Sequence, residues 1–353
     1  HGLAVVGSTL NHIGAAGATL GRAYGWLTSQ YGLAIDNLLW ARIILADGSI
    51  ITASETQNPD LFWAIRGAGQ IFGVVIEMSF RAHRQNDPVF AGTLLFTADK
   101  LPGIVDFANQ FETHTDIKQG FWFGFTASPA RAECSILVVV FCNWNQTVAE
   151  QFFSPVISLR PVVNETQMLP YASLNGILNP LDTVAHRRSP GEFDIALPVD
   201  DLGPRKSLRG SNITLPLDID FIVSIYREFD GILREFPPAR DSILLFELLP
   251  NTQVTKVNND ATAFAIRGPY YNVSSLFRWR GAQLDQRMYS LQKDLVNRIG
   301  TVATINKIIG HDLPNEDIFG DNLPRLRELK KKYDPHNIFR KWHNIEASIE
   351  TEG

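Results

Sequence analysis

The chain carries no surplus of basic residues: 32 Lys and Arg face 37 Asp and Glu, a formal net charge of -5. No Lys/Arg run is interleaved with aromatics either, so nothing provides for neutralising a phosphate backbone, and nucleic acid is not expected as a partner. Long apolar runs are missing as well. The longest, Ile136–Cys142, is far below the roughly 20 residues of a membrane-spanning helix, so no membrane partner is expected. Cysteine is scarce: Cys134 and Cys142 lie in one strand-like run, where a rise of about 3.3 Å per residue holds them beyond disulfide reach. Both are expected as buried thiols. Also lacking are a Gly-Lys-Ser/Thr phosphate loop, a Gly-x-Ser-x-Gly elbow and a His-Glu-x-x-His pair, and the 8 histidines stand singly. Hydrolase and metal chemistry therefore have no support. Gly67-Ala-Gly69-Gln-Ile-Phe-Gly73 has one residue too many for the dinucleotide fingerprint and follows a helical pattern, so a nicotinamide site is rejected.

What is present is a globular composition, 45% hydrophobic over 353 residues, enough for one large or two ordinary cores. Residues 1–88 are rich in Gly and β-formers. Ile43–Leu45 and Ile50–Ile51 flank Asp47-Gly48, which predicts a hairpin with a two-residue type I′ turn. Asn58, Pro59 and Gly67 mark a helix with an Asn N-cap. Beyond Pro88 strands alternate with amphipathic helices, predicting an α+β domain with strands at 89–96, 120–126, 135–141, 243–249 and 271–277 and helices near 101–113 and 283–298. Residues 179–215, rich in Pro, Gly, Arg and Asp, read as a long loop. Arg325, Arg327, Lys330, Lys331 and Lys332 read as the solvated face of a closing helix. Sequons begin at Asn145, Asn164, Asn212 and Asn272, a pattern expected of a secreted glycoprotein. His1-Gly2-Leu3 has no initiator Met or signal pattern and runs straight into an apolar strand, the start expected where an upstream segment is missing.

The segment Gly14-Ala-Ala-Gly17-Ala-Thr-Leu-Gly21, continued to Gly25, reads as a glycine loop. It either brings backbone close to a flat or anionic ligand or serves packing in tight turns. Taken with Tyr31-Gly-Leu-Ala-Ile-Asp36-Asn, Leu45-Ala-Asp-Gly48, Asn58–Gly67, Phe72-Gly-Val-Val75 and Tyr333-Asp-Pro-His-Asn-Ile-Phe339, it resembles the berberine-bridge-enzyme-like branch of the FAD-linked oxidases, which share the fold of vanillyl-alcohol oxidase. The resemblance implies a PCMH-type FAD-binding domain built from residues 1–88 and completed by 319–353. Between them, residues 89–318 form a substrate domain, an antiparallel sheet backed by helices. It implies FAD as cofactor, contacted by Ile13, Gly14, Gly17, Gly21, Gly25, Gly73, Val75 and Asn322. The family's diphosphate loop and flavin-anchoring histidine lie upstream of His1, and its second anchor, a cysteine, aligns with Leu10. The family's three-glycine run falls on Gly21-Arg22-Ala23, and its usual Asn before Phe-Gly falls on Ile71.

The same resemblance implies a reaction: a small-molecule C–H gives hydride to flavin N5 while a protein base takes a proton from the attached O–H or N–H. The family's Tyr-x-Asn-Tyr falls on Thr304-Ile-Asn-Lys307, which leaves Lys307 as one candidate base and an exposed lysine as its alternative. Glu247, a carboxylate among apolar neighbours, is the other candidate, with an ion pair to Arg267 as the alternative. Ile13 matches the family position beside the oxygen-reactive flavin carbon, where more bulk than valine is expected to slow oxygen and favour another acceptor. The competing reading is a non-catalytic family member that binds without flavin chemistry.

Overall fold

The computed structural model describes residues 1–11, 13–85, 88–127, 133–178, 205–302 and 313–345. The chain divides into two units, one of His1–Gln85, Asn251–Pro269 and His311–Gly353, the other of Asn86–Pro250 and Tyr270–Gly310.

The first unit begins with β1 (Leu3–Ala4), α1 (Ala15–Gly21), α2 (Thr28–Tyr31), β2 (Leu38–Ile44), β3 (Ile50–Ser54), α3 (Pro59–Ala68), β4 (Val74–Phe80) and β5 (His83–Arg84). β2 is the middle strand of an antiparallel β3-β2-β4 sheet, and β1 pairs with β5. Period-two alternation along β2 turns Ala41 and Ile43 onto Leu61, Phe62 and Ile65 of α3, which form the core of this unit. Along the first residues Leu3 and Val5 are exposed and Val6 is buried.

Three local expectations need correction, one of them in part. The hairpin after Ile44 does not use a two-residue turn. Gly48 N–H donates to Leu45 O and Leu45 N–H to Ser49 O, so three residues form the loop, with Gly48 at φ 81° as the bulge residue. Asn58 does stand at the N-cap of α3, its O accepting from Phe62 N, but at φ 47° its side chain makes no cap bond and its Nδ2 donates instead to Thr52 O at 2.8 Å. The Gly14–Gly21 stretch is the helix α1, because Thr19 and Leu20 bury one side of it and Leu20 packs on Gly69.

The second unit holds β6 (Val89–Phe96), α4 (Leu101–His114), β7 (Gln119–Ala127), β8 (Cys134–Cys142), α5 (Gln146–Ile157), β9 (Val163–Asn164), β10 (Gln167–Leu169), β11 (Arg205–Ile213), α6 (Ile219–Glu235), β12 (Ile243–Leu248), β13 (Tyr271–Trp279) and α7 (Asp285–Gly300). The strands make one antiparallel sheet in the order β10-β6-β8-β7-β12-β13-β11, with β9 on β6. Alternate residues, among them Phe121, Phe123, Phe125, Val138, Phe246 and Phe277, pack with the helices into a single core. The helix α6 shows why: Ile222, Ile225, Tyr226, Phe229, Ile232 and Leu233 recur at helical spacing, and Asp218 caps its start by accepting from Phe221 N. Cys134 and Cys142 are buried free thiols at the two ends of β8, and burial pushes Cys134 up to about 12 and Cys142 up to about 11. Residues 205–213 of the expected 179–215 loop are a strand, paired along its whole length with β13. Polar residues at Lys206, Ser207, Arg209, Ser211 and Asn212 hid that strand from an apolarity count.

Asn251–Pro269, placed by the sequence within the substrate domain, groups with the first unit. The reasons are specific bonds: Trp63 Nε1 donates to Asp260 O at 2.7 Å, and Phe264 N to Arg66 O at 3.2 Å. The closing helix Leu323–Tyr333 sets Leu323, Leu326, Leu329 and Tyr333 in the same core as α3. Its basic residues are not one solvated face. Lys330 is buried, its Nζ donating to Asp334 Oδ2 at 2.6 Å, Ile71 O at 2.7 Å and Phe339 O at 2.9 Å. Arg325 lies over the Trp63 ring.

Candidate active site

In the first unit, Ile13 is 41% exposed and Gly14 is the N-cap of α1 in an extended conformation. Gly14, Ala15, Ala16 and Gly17 are exposed, and the first turn carries neither an acidic residue nor a side-chain cap. Among the described residues, leaving aside chain neighbours and α1's own backbone, nothing lies within 4 Å of where a Cβ on Gly14 or Gly17 would stand. Gly21 has only an ordinary contact, with Gln70 Nε2 at 3.5 Å. Gly25 and Gly73 differ: a Cβ there would meet Gly7 O at 1.9 Å and Ile44 O at 2.4 Å. These two glycines are required by the chain's own packing, whereas Gly14 and Gly17 leave space for something outside it. An exposed Gly-Ala edge with uncapped N–H groups fits close approach by a flat cofactor with an anionic tail, as FAD is.

Val75 is half-buried and pairs with Ile43 across the three-stranded sheet. Asn322 is buried, and its Nδ2 donates to Asn259 O at 2.8 Å and Thr262 O at 3.0 Å, tying down the 251–269 segment. It stands at the N-cap of the closing helix without a side-chain cap bond. Where the family has its three-glycine run, Arg22 lies over the Phe264 ring and Ala23 adopts φ 42°, a left-handed conformation that glycine takes without strain. Ile71 is fully buried in the core.

In the second unit, Glu247 lies on β12 between Phe246 and Leu248, both of which face the helices. Alternation therefore turns Glu247 to the opposite face of the sheet. There its register partners are Asn272 on β13 and Trp122 on β7, and Asn272 in turn partners Asn212 on β11. Glu247 is half-buried and the other three are buried. The alternative partner, Arg267, is taken: its Nη2 and Nη1 reach the Asp36 carboxylate at 2.7 and 3.0 Å, and Nη2 donates to Thr262 Oγ1. Lys307 lies outside the described residues. Trp122, Asn212 and Asn272 were missed as site residues, although strand parity with Glu247 was available once the strands were paired. Asn212 and Asn272 were read as sequons, but at 1% and 9% exposure inside a sheet they leave a glycan no room. Asn145, which caps α5, and Asn164 are exposed.

Residues 310–346 match the family described as Berberine and berberine like. The FAD-linked oxidoreductase pgmH of Aspergillus terreus is 30% identical over 376 residues, covering 98% of this chain and 71% of the relative. The FAD-linked oxidoreductase OXR1 of Pyricularia oryzae is also 30% identical, covering 98% of this chain and 67% of its own length. Among solved structures, Physcomitrella patens BBE-like 1 has the same fold, with a TM-score of 0.79 at 20% identity over 98% of this chain and 72% of the other. The α+β fold, the open glycines of α1 and these relatives agree: the chain belongs to the berberine-bridge-enzyme-like family of FAD-linked oxidoreductases.

Proposed function

We propose that the protein oxidises a small molecule at a C–H bond, with Glu247 accepting the proton released from the O–H or N–H on the same carbon. When bound, FAD supplies the hydride acceptor. The carrying observation is that Glu247 is the sole carboxylate in the eight strands of the sheet, among the described residues. It stands on the face opposite the helices, beside an indole and a carboxamide. A half-buried carboxylate is reachable by a substrate and can accept a proton from a group at hydrogen-bond distance. Lipophilic residues on the same face, Leu245 on β12 and Leu276 on β13, exclude water around it. Placement in the secreted glycoprotein class is carried by Asn145 and Asn164 alone.

The test is Glu247→Gln in the natural FAD-loaded protein, with flavin reduction followed without oxygen. Loss of a positioned base slows that step by about a hundred- to ten-thousand-fold, with the flavin spectrum intact. Reduction at the wild-type rate would remove Glu247 from the mechanism.

A further inference from the structure

The sheet presents a line of hydrogen-bonding side chains at one level. Register partners in an antiparallel sheet share a face, which sets Asn212 beside Asn272, Asn272 beside Glu247 and Glu247 beside Trp122. Asn212 is 1% exposed and Asn272 9%, and the Oδ1 of each is buried without a hydrogen bond. A buried acceptor left without a donor opposes folding, and two such atoms on adjacent strands are an arrangement that packing alone does not reward. The next positions on this face are mostly apolar or lack a side chain, Leu245, Leu276, Val139, Gly124 and Gly210, with Ser274 as the polar register partner of Leu245.

We infer that this line recognises the substrate and takes an aromatic ring bearing two hydroxyls meta to one another, an assignment that rests on Glu247 being the proton acceptor. Both Oδ1 atoms lack donors, so the ligand must present O–H or N–H groups; carbonyls and carboxylates are disfavoured. Neighbouring strands stand about 4.8 Å apart. Meta hydroxyls span that interval, whereas adjacent hydroxyls are too close together. A mostly apolar face, with Ser274 as the polar side chain beside this line, suits a flat ring with donors along one edge more than a polyol with hydroxyls all round. The two ring hydroxyls would donate to Asn212 and Asn272 and serve recognition alone, because phenolic carbons carry no hydrogen; the C–H and O–H that are oxidised belong to a carbinol borne by the ring, whose proton goes to Glu247 on the next strand.

The experiment measures binding by titration calorimetry to the FAD-loaded protein, with resorcinol, catechol and cellobiose as probes, in wild type and in Asn212→Leu and Asn272→Leu. Resorcinol should bind more tightly than catechol or cellobiose. Each leucine variant should weaken it about tenfold, the loss of one hydrogen bond, with an unchanged flavin spectrum and an equal or higher Tm. A higher Tm is the mark of a recognition role, because leucine removes an unpaired buried amide. Resorcinol affinity unchanged in both variants, tighter binding of cellobiose, or a fall in Tm accompanying the loss of binding would each overturn the inference. The two readings fail separately: normal flavin reduction in Glu247→Gln leaves the asparagine-dependent binding standing, and asparagine-independent binding leaves the Glu247 result standing.

Discussion

The glycines of the first unit divide by what surrounds them, and a pair of alanine substitutions turns that division into numbers. At Gly25 an added methyl would stand 1.9 Å from Gly7 O and 3.0 Å from Gly7 C. Both are backbone atoms, so relief requires moving the chain, and overpacking of this kind costs about 1–3 kcal/mol or more. Gly25 N–H also donates to Thr28 Oγ1 at 2.9 Å, which ties any movement to the start of α2. At Gly17, inside α1, a methyl meets nothing within 4 Å among the described residues, apart from chain neighbours and the helix's own backbone. There alanine should stabilise the helix by about 0.5–1 kcal/mol. If that open edge receives FAD, the same methyl obstructs the cofactor. Urea unfolding of both variants, with flavin content read from visible absorbance, is the assay. Gly25→Ala should lose stability. Gly17→Ala should hold or gain stability and retain less flavin. Full flavin content in a stable Gly17→Ala protein would refute the reasoning, as would equal destabilisation of the two.

Arg267 is fully buried at its side chain and paired with Asp36, so Arg267→Met should cost about 3–5 kcal/mol by stranding the carboxylate. The double variant with Asp36→Leu should recover most of this in urea unfolding, and strict additivity of the two losses would contradict the pairing. Asp334 opposes its own burial with bonds from Lys330 Nζ and the N–H groups of Phe339 and Ile338, which together hold its carboxyl below the ordinary range. A depressed pKa gives stability that is present above the unfolded value of about 3.9 and lost as pH falls through the folded one. Protection factors of the Ile338 and Phe339 amides should fall in that acid window, and protection unchanged through the global acid transition would count against it. Ile13→Val should speed reoxidation of the reduced protein by oxygen; equal, fast rates in stopped flow would remove Ile13 as a gate.

Sequence reasoning reached the architecture where periodicity was strong. The runs that became β7, β8, β12 and the closing helix carry apolar residues at the spacing of their element, and the core formed where that spacing pointed. It failed where pairing overrode composition. β11 is mostly polar and is a strand because β13 offers it a complete ladder. The glycine stretch is a helix because Leu20 has Gly69 to pack on, a contact 49 positions away in the chain. Lys330 shared a basic run with solvated neighbours, and only the fold brings three acceptors to its ammonium. At the site, Glu247 was legible as a carboxylate in an apolar strand. Its companions were not, since Asn212, Asn272 and Trp122 come together only through the order β11-β13-β12-β7.

The family activity, oxidation with FAD, is here proposed to proceed by hydride transfer from the substrate to bound FAD. It is tested most directly by following the flavin's visible absorption in the natural protein after anaerobic addition of a dihydroxyaromatic alcohol. The account predicts that the band bleaches in a single turnover and returns when an electron acceptor is admitted. A protein that carries FAD yet keeps its oxidised spectrum with every alcohol, sugar and phenol offered would contradict it.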